Sequence, residues 1–502
     1  MKTSRYRKGA QSALLFTIVV ISIVSASFGS QFPGAIIRTR TTGLINYWPH
    51  VDVAINANQV IGVNNLSLGF MLDWHRWVPF IDRPAQRQLA YDANFKLVRV
   101  FDFRKISPYG YSDLMPCTHW NESTKTGTWD WTQVDSLVDA IFDVGAEPLF
   151  CLGWARDNIK NYIPRGMAVD PDTGLPYPQS YAAYAREWVR HFESLDLPVR
   201  FYQISNEPYH YFGWSQSPEL GHYVEFWNTV ARAMRGENPN ILLSHDATTI
   251  RMVLDYWIEH GDDLDFFDFH KYDAATIGGY SDAQMFNLAE LRYFENYGNY
   301  YGVEEARQKW FDARGKWLPV ICSESNFNYA WETGTDPKMQ QMAGSVWIAL
   351  VLRMGMLKGL ACNVYFEFSS SKSGQEARGA GWGFGMINED DNQPWYPYYV
   401  HKMVGSNLAV GDEIVEAESS SNEIRSVAWF HDGKLNILLI CKSDEPKTVR
   451  LHGISEELNA SWIDDTIPYE SPSIQTDKIS LDEPLIMKGY TVALLQIYAA
   501  NQ

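Results

Sequence analysis

A glutamate stands at position 207 in the tripeptide Asn206-Glu207-Pro208, at the end of the apolar run Val199-Arg-Phe-Tyr-Gln-Ile-Ser205. A second, Glu324, leaves another apolar run, Leu318-Pro-Val-Ile-Cys-Ser323. Each run reads as a strand that delivers a carboxyl group to its C-terminal end. Two carboxyl groups brought to one point can cleave a glycosidic bond: one protonates the leaving oxygen, the other attacks or stabilises the anomeric carbon. The Asn206 amide can hydrogen-bond a sugar hydroxyl next to the reacting carbon. Pro208 bars Glu207 from helical geometry and helps end the strand there.

Something must hold these groups together, and the chain has the pattern for it. From about residue 67, short apolar runs alternate with amphipathic stretches. Strands are predicted at 68–72, 97–101, 148–152, 201–205, 241–244, 266–270, 320–323 and 363–366. They are rich in Val, Ile, Leu, Phe and Cys, the profile of parallel strands buried on both faces. Helical periodicity falls at 131–144, 181–193, 220–234, 250–260 and 339–357. Eight strands with helices between them imply an α/β fold, a (β/α)8 barrel, with a doubly wound open sheet as the alternative. Arg99, Trp154, Asn206, Glu207, His245, His270, Tyr272, Glu324 and Glu367 fall at or just past the C-terminal ends of different strands, the face where such barrels build their sites. After about residue 400 short alternating stretches are separated by turn signals such as His431-Asp-Gly433, which predicts a C-terminal β-sandwich. Residues 31–66 are also strand-like and are expected to pair with it. The expected domains are therefore 31–66, a barrel over 67–400 and a sandwich over 401–502.

On these residues the chain resembles the retaining glycoside hydrolases of clan A, (β/α)8 enzymes with catalytic glutamates on strands four and seven. Asn206-Glu207 matches that clan's acid/base position. Glu324, in Cys322-Ser-Glu-Ser-Asn326, matches its nucleophile. The resemblance further implies substrate-site roles for Arg99 and for His270-Lys-Tyr272, whose tyrosine would hydrogen-bond the nucleophile. Within the clan, Trp129-Asp-Trp-Thr-Gln-Val-Asp135, Glu147-Pro-Leu-Phe-Cys-Leu-Gly-Trp154 and Asp268-Phe-His-Lys-Tyr272 are similar to segments of glycoside hydrolase family 39. That family includes β-xylosidases and α-L-iduronidases, and the expected substrate is a β-linked glycan of β-xyloside or β-glucan type. An endo-acting glucanase or mannanase of the same clan, and a glycan-binding barrel without activity, are the other readings. One departure stands out. Clan members carry a tryptophan at the end of strand eight, where this chain has Tyr365-Phe-Glu-Phe368, so Trp382 and Trp154 are the expected sugar platforms and Glu367 a further substrate contact. Glu207 must begin the reaction protonated, so its pKa is expected to be raised by burial and by Glu324.

The rest of the composition narrows the field. Net charge is -18 over 502 residues, which disfavours nucleic acid as a partner. The five cysteines are widely spaced and form no disulfide framework. The twelve histidines form no HExxH motif or close pair, so neither metal nor other cofactor is expected. The expected partner is an oligo- or polysaccharide. Lys2, Arg5, Arg7 and Lys8 precede the apolar run Leu14–Val24 and the small residues Ser25-Ala26-Ser27. Residues 1–30 therefore read as a signal peptide or anchor of an exported protein, the anchor being the one expected link to a membrane.

Overall fold

The computed structural model describes residues 48–72, 77–101, 103, 115–153, 162–213, 217–274, 279–329, 337–371, 383–454 and 457–498. The expected signal segment, Trp154 and Trp382 lie outside them. Among the described residues no helix is long and apolar enough to cross a membrane.

Eight parallel strands form the predicted barrel: Ser67–Leu72, Leu97–Val100, Glu147–Cys151, Phe201–Gln203, Leu242–Ser244, Phe267–Ala274, Val320–Asn328 and Cys362–Tyr365. Each pairs with its neighbour in chain order except at the fifth and sixth, and the eighth pairs with the first. The fifth and sixth lack a ladder and are joined by individual bonds. Asp265 N donates to Leu243 O at 2.9 Å, Ser244 Oγ to Phe266 O at 2.6 Å, and Thr248 Oγ1 to Asp268 O at 2.7 Å. A closed ring buries both faces of every strand, which is why the strands are apolar throughout rather than alternating.

Helices cover the outside. Thr132–Asp143 turns Val134, Leu137, Val138 and Ile141 inward. Pro178–Ser194 and Pro218–Glu237 each begin on a proline, whose fixed φ and missing N–H suit a first turn. Met342–Lys358 is buried on nearly all sides, as expected of a helix with no polar face. The stretch after strand six contains the helix Asp282–Leu291, started by a reciprocal capping box between Ser281 and Gln284. A second helix, Val303–Arg314, follows it.

Beyond the barrel, nine strands form one continuous sheet: His50–Val63, Glu413–Ser419, Ile424–His431, Lys434–Cys441, Lys447–His452, Leu458–Asp464, Gln475–Ile479, Leu485–Met487 and Thr491–Tyr498. His50–Val63 pairs antiparallel with Glu413–Ser419 and parallel with Lys447–His452. Ile479 and Leu485, on the two opposite edge strands, share one apolar core with Val53, Ile437 and Leu495. The sheet therefore folds over on itself into two layers, the predicted sandwich. On the other face Val427, Trp429, Leu438 and Val492 join the barrel's core. Arg353 Nε of helix Met342–Lys358 donates to Ser426 O at 2.8 Å across that junction.

Candidate active site

Strand six shows how the barrel sorts its side chains. The side chains of Asp268, His270 and Tyr272 enter the polar network inside the ring, Asp268 accepting from Gln203 Nε2 and Ser323 N. The intervening residues face the helices: Phe269 stacks on Tyr293, Lys271 Nζ donates to Arg292 O at 2.9 Å, and Asp273 accepts from Trp347 Nε1 at 2.7 Å. This is strand alternation with a polar interior. Strand seven carries a register shift against strand six: Cys322 pairs with Phe269, and Glu324 with His270. Ser323 is the extra residue. A bulge of this kind re-aims a side chain, and here it brings Glu324 level with His270.

Arg99, fully buried on strand two, is the hub. Its Nη1 donates to Glu324 Oε1 at 2.6 Å, its Nη2 to Asn206 Oδ1 at 2.7 Å, and its Nε to Gln203 Oε1 at 2.6 Å. Charge-assisted bonds of this length are among the strongest a protein makes. Tyr272 donates its hydroxyl to Glu324 Oε2 at 2.6 Å, so both oxygens of Glu324 are held. Because Arg99 takes the Asn206 oxygen, the amide's remaining polar atom is its NH2 donor.

Glu207 has its own retinue. Tyr209 donates to Oε1 at 2.6 Å, His270 Nδ1 lies 3.0 Å from the same oxygen, and His210 Nε2 lies 3.1 Å from Oε2. Pro208 excludes the right-handed helical region, and Glu207 adopts a left-handed φ of 47°. Its N–H donates to Asp246 Oδ2 at 2.7 Å, which anchors that conformation. Such outliers persist only where the surroundings over-determine them.

The charges follow from these contacts. Burial pushes the Glu207 pKa up, but bonds from His210, His270 and Tyr209 outweigh it and hold the carboxylate well below its usual range. That overturns the expectation of a raised pKa. Burial lowers His270, yet Glu324, Asp246 and Glu207 more than compensate, and its pKa is raised to about 9. Desolvation lifts Asp246 to about 7 and Asp268 to about 6. The resting geometry thus places a positive imidazole against a negative Glu207.

The structure brings Arg99, Asn206, Glu207, His270, Tyr272 and Glu324 into one cluster. Glu367 is buried near it and accepts from Ser370 Oγ at 3.0 Å, past the cis peptide Phe366–Glu367. His245 is a core residue, packed on Trp257 at 4.1 Å, with burial lowering its pKa to about 3. Asp246, Gln203, Tyr209 and His210 were missed by sequence reasoning. Tyr209 and His210 had a signal, since a turn after Asn-Glu-Pro returns the next side chains toward the glutamate.

Glu207, His270 and Glu324 offer ligand atoms all within 4.8 Å of one another, an arrangement that could hold a cation. The Arg99 guanidinium bonded to Glu324 opposes it, because a metal there would face a fixed positive charge. The donor set fits a pair of working carboxyl groups better.

No family model and no curated protein matches the sequence. Solved structures do resemble this one. A family 39 β-xylosidase from Caulobacter crescentus aligns over 89% of this chain and 99% of its own, at 15% identity and TM-score 0.59. A family 51 α-L-arabinofuranosidase from Thermotoga petrophila aligns over 89% and 100%, at 13% identity and TM-score 0.61. A family 30 endoxylanase from Clostridium papyrosolvens aligns over 89% and 100%, at 12% identity and TM-score 0.54. What the chain shares with them is the fold.

Proposed function

We propose that the protein is a retaining glycoside hydrolase of the clan A type, exported from the cell and acting on β-linked glycans. The observation that carries this reading is the separation of the two carboxyl groups: an oxygen of Glu207 and one of Glu324 lie within 4.8 Å. Inverting enzymes keep theirs roughly 6.5–9.5 Å apart to admit a water, and retaining enzymes about 5–5.5 Å.

Glu324 attacks the anomeric carbon and forms an ester to the sugar. The glycosidic C–O bond breaks, its electron pair stays on oxygen, and a proton delivered by Glu207 completes the leaving alcohol. Water then attacks the anomeric carbon while Glu207 takes its proton, and Glu324 departs as a carboxylate. Two displacements retain the configuration. Arg99 and Tyr272 fix both oxygens of Glu324 before substrate arrives, so little reorganisation remains at the moment of reaction. With its oxygen taken by Arg99, the Asn206 amide donates through its NH2 to a hydroxyl of the reacting sugar in this reading.

The xylosidase and endoxylanase among the similar structures make β-xylosides the first substrates to try. The test is hydrolysis of a panel of aryl β-xylosides, β-glucosides and β-mannosides with the matching polysaccharides. Wild type should release sugar from at least one. Glu207→Gln should slow reaction with poor leaving groups by about 10²–10⁴-fold, and Glu324→Gln should abolish turnover. Full activity in either folded variant would refute the assignment.

A further inference from the structure

One carboxylate oxygen in the cluster serves two masters. Asp246 Oδ2 accepts the backbone N–H of Glu207 at 2.7 Å and lies 3.2 Å from His270 Nε2, a charge contact rather than an aligned hydrogen bond. On the far side of the same ring, His270 Nδ1 lies 3.0 Å from Glu207 Oε1 and 3.5 Å from Glu324 Oε2. Asp246 is itself buried, and its Oδ1 has no protein partner among the described residues. Among the described residues its contacts, the 3.9 Å ion pair with Arg99 Nη2 included, run through the oxygen shared by Glu207 and His270. A residue present only to cap a main-chain N–H could be an asparagine or a serine. A buried carboxylate is costly unless its charge has a use.

We propose that Asp246 is a positioning residue that keeps His270 doubly protonated beside Glu207, making the imidazole the store of the proton that Glu207 delivers to the leaving oxygen. This rests on the glycosidase reading above and deepens it. The groups facing His270 are Glu207 from the end of strand four, Asp246 after strand five, Asp268 on its own strand, Glu324 on strand seven and Arg99 on strand two. Tyr209 and His210 reach the same cluster through Glu207. Four carboxyl groups against one guanidinium leave the imidazole as the favoured seat for a positive charge. When a glycan excludes water and the bond begins to break, the Nδ1 proton crosses to Glu207 Oε1, and Glu207 gives a proton to the departing oxygen. In the second displacement Glu207 takes a proton from water and returns one to Nδ1. The ring ends each turnover as it began, with one water consumed.

The test is Asp246→Asn in the full chain, assayed on two aryl glycosides of one sugar. A phenyl glycoside needs its oxygen protonated, and a 2,4-dinitrophenyl glycoside does not. We expect kcat/KM on the phenyl glycoside to fall about 10-fold or more and its alkaline limb to move to lower pH. The dinitrophenyl rate should change by less than about 3-fold. In parallel, NMR titration of the imidazoles, with His270 assigned by its loss in His270→Gln, should show the His270 midpoint move down by about one unit or more. Equal losses on both substrates, or an unmoved midpoint, would overturn the proposal while leaving the glycosidase reading intact. That reading fails separately if Glu207→Gln loses nothing on the phenyl glycoside. If Asp246→Asn does not fold, His270→Gln must show the same split between leaving groups, and a uniform loss there counts equally against the proposal.

Discussion

The identity of Glu207 was legible from its motif, but its charge was not, because charge is set by three-dimensional neighbours. Tyr209 and His210 lie next to it in sequence and fold back through the short helix Tyr209–Phe212. His270 comes from another strand altogether. Asp246 sits in Ser244-His-Asp-Ala247 with no motif to mark it, and Gln203 looks like any strand residue. The partners of a motif residue are tertiary facts. One consequence is measurable as stability. His270 is raised to about 9 in the folded protein, against about 6.5 in an unfolded chain. Its contribution is therefore fully present below pH 6.5 or so and is lost as pH climbs through about 9. Asp246, also raised, loses its contribution at lower pH, between its unfolded value and about 7. Between about pH 7.5 and 10 the His270 effect should cost about 2 kcal/mol, on top of the losses from Cys151, Cys322, Cys362 and Cys441, whose thiols burial pushes up. Urea unfolding at the two pH values should show wild type losing that much more stability than His270→Gln; equal slopes would contradict a charged ring.

At the scale of elements, the apolar halves of the strands were readable and the polar halves were not. Strand six was expected to stop at His270 and runs to Ala274; strand seven was expected to stop at Ser323 and runs to Asn328. Hydropathy marks a polar residue as an end, whereas inside this barrel His270, Tyr272, Glu324 and Asn326 are buried among hydrogen-bond partners. The Ser323 bulge was equally invisible, since it is a property of pairing rather than of residue type. Packing between the ends of strands three and four is tight. A Cβ on Gly153 would lie 1.8 Å from the Ser205 Cα, so no side chain fits without moving the backbone that leads to Glu207. Gly153→Ala should destabilise the protein by about 1–3 kcal/mol or more and lower kcat, measurable by thermal melting and by activity together. A neutral substitution would mean that these strand ends yield more readily than their contact distance implies.

For the whole molecule, the change of texture near residue 400 and the strand-like stretch before the barrel were both visible in the sequence. That they make one sheet, with His50–Val63 inserted between Glu413–Ser419 and Lys447–His452, was not, because pairing partners hundreds of residues apart leave no local trace. The sheet's outer face completes the barrel's core through Val427, Trp429, Leu438 and Val492. A chain ending at Ser406 should therefore expose the apolar helix Met342–Lys358 and leave His50–Val63 as an unpaired edge. It should aggregate on expression, judged by sedimentation against wild type. A soluble, active barrel from that chain would show the sheet to be an independent addition. The same pairing also sets a clock. Residues 50–63 leave the ribosome well before either of their partner strands, Glu413–Ser419 and Lys447–His452, has been made. At a rate on the order of 5–20 residues per second, the first strand waits tens of seconds for its sheet. Its alternating buried and exposed residues must stay soluble through that interval, which makes this strand the segment most in need of a chaperone's cover.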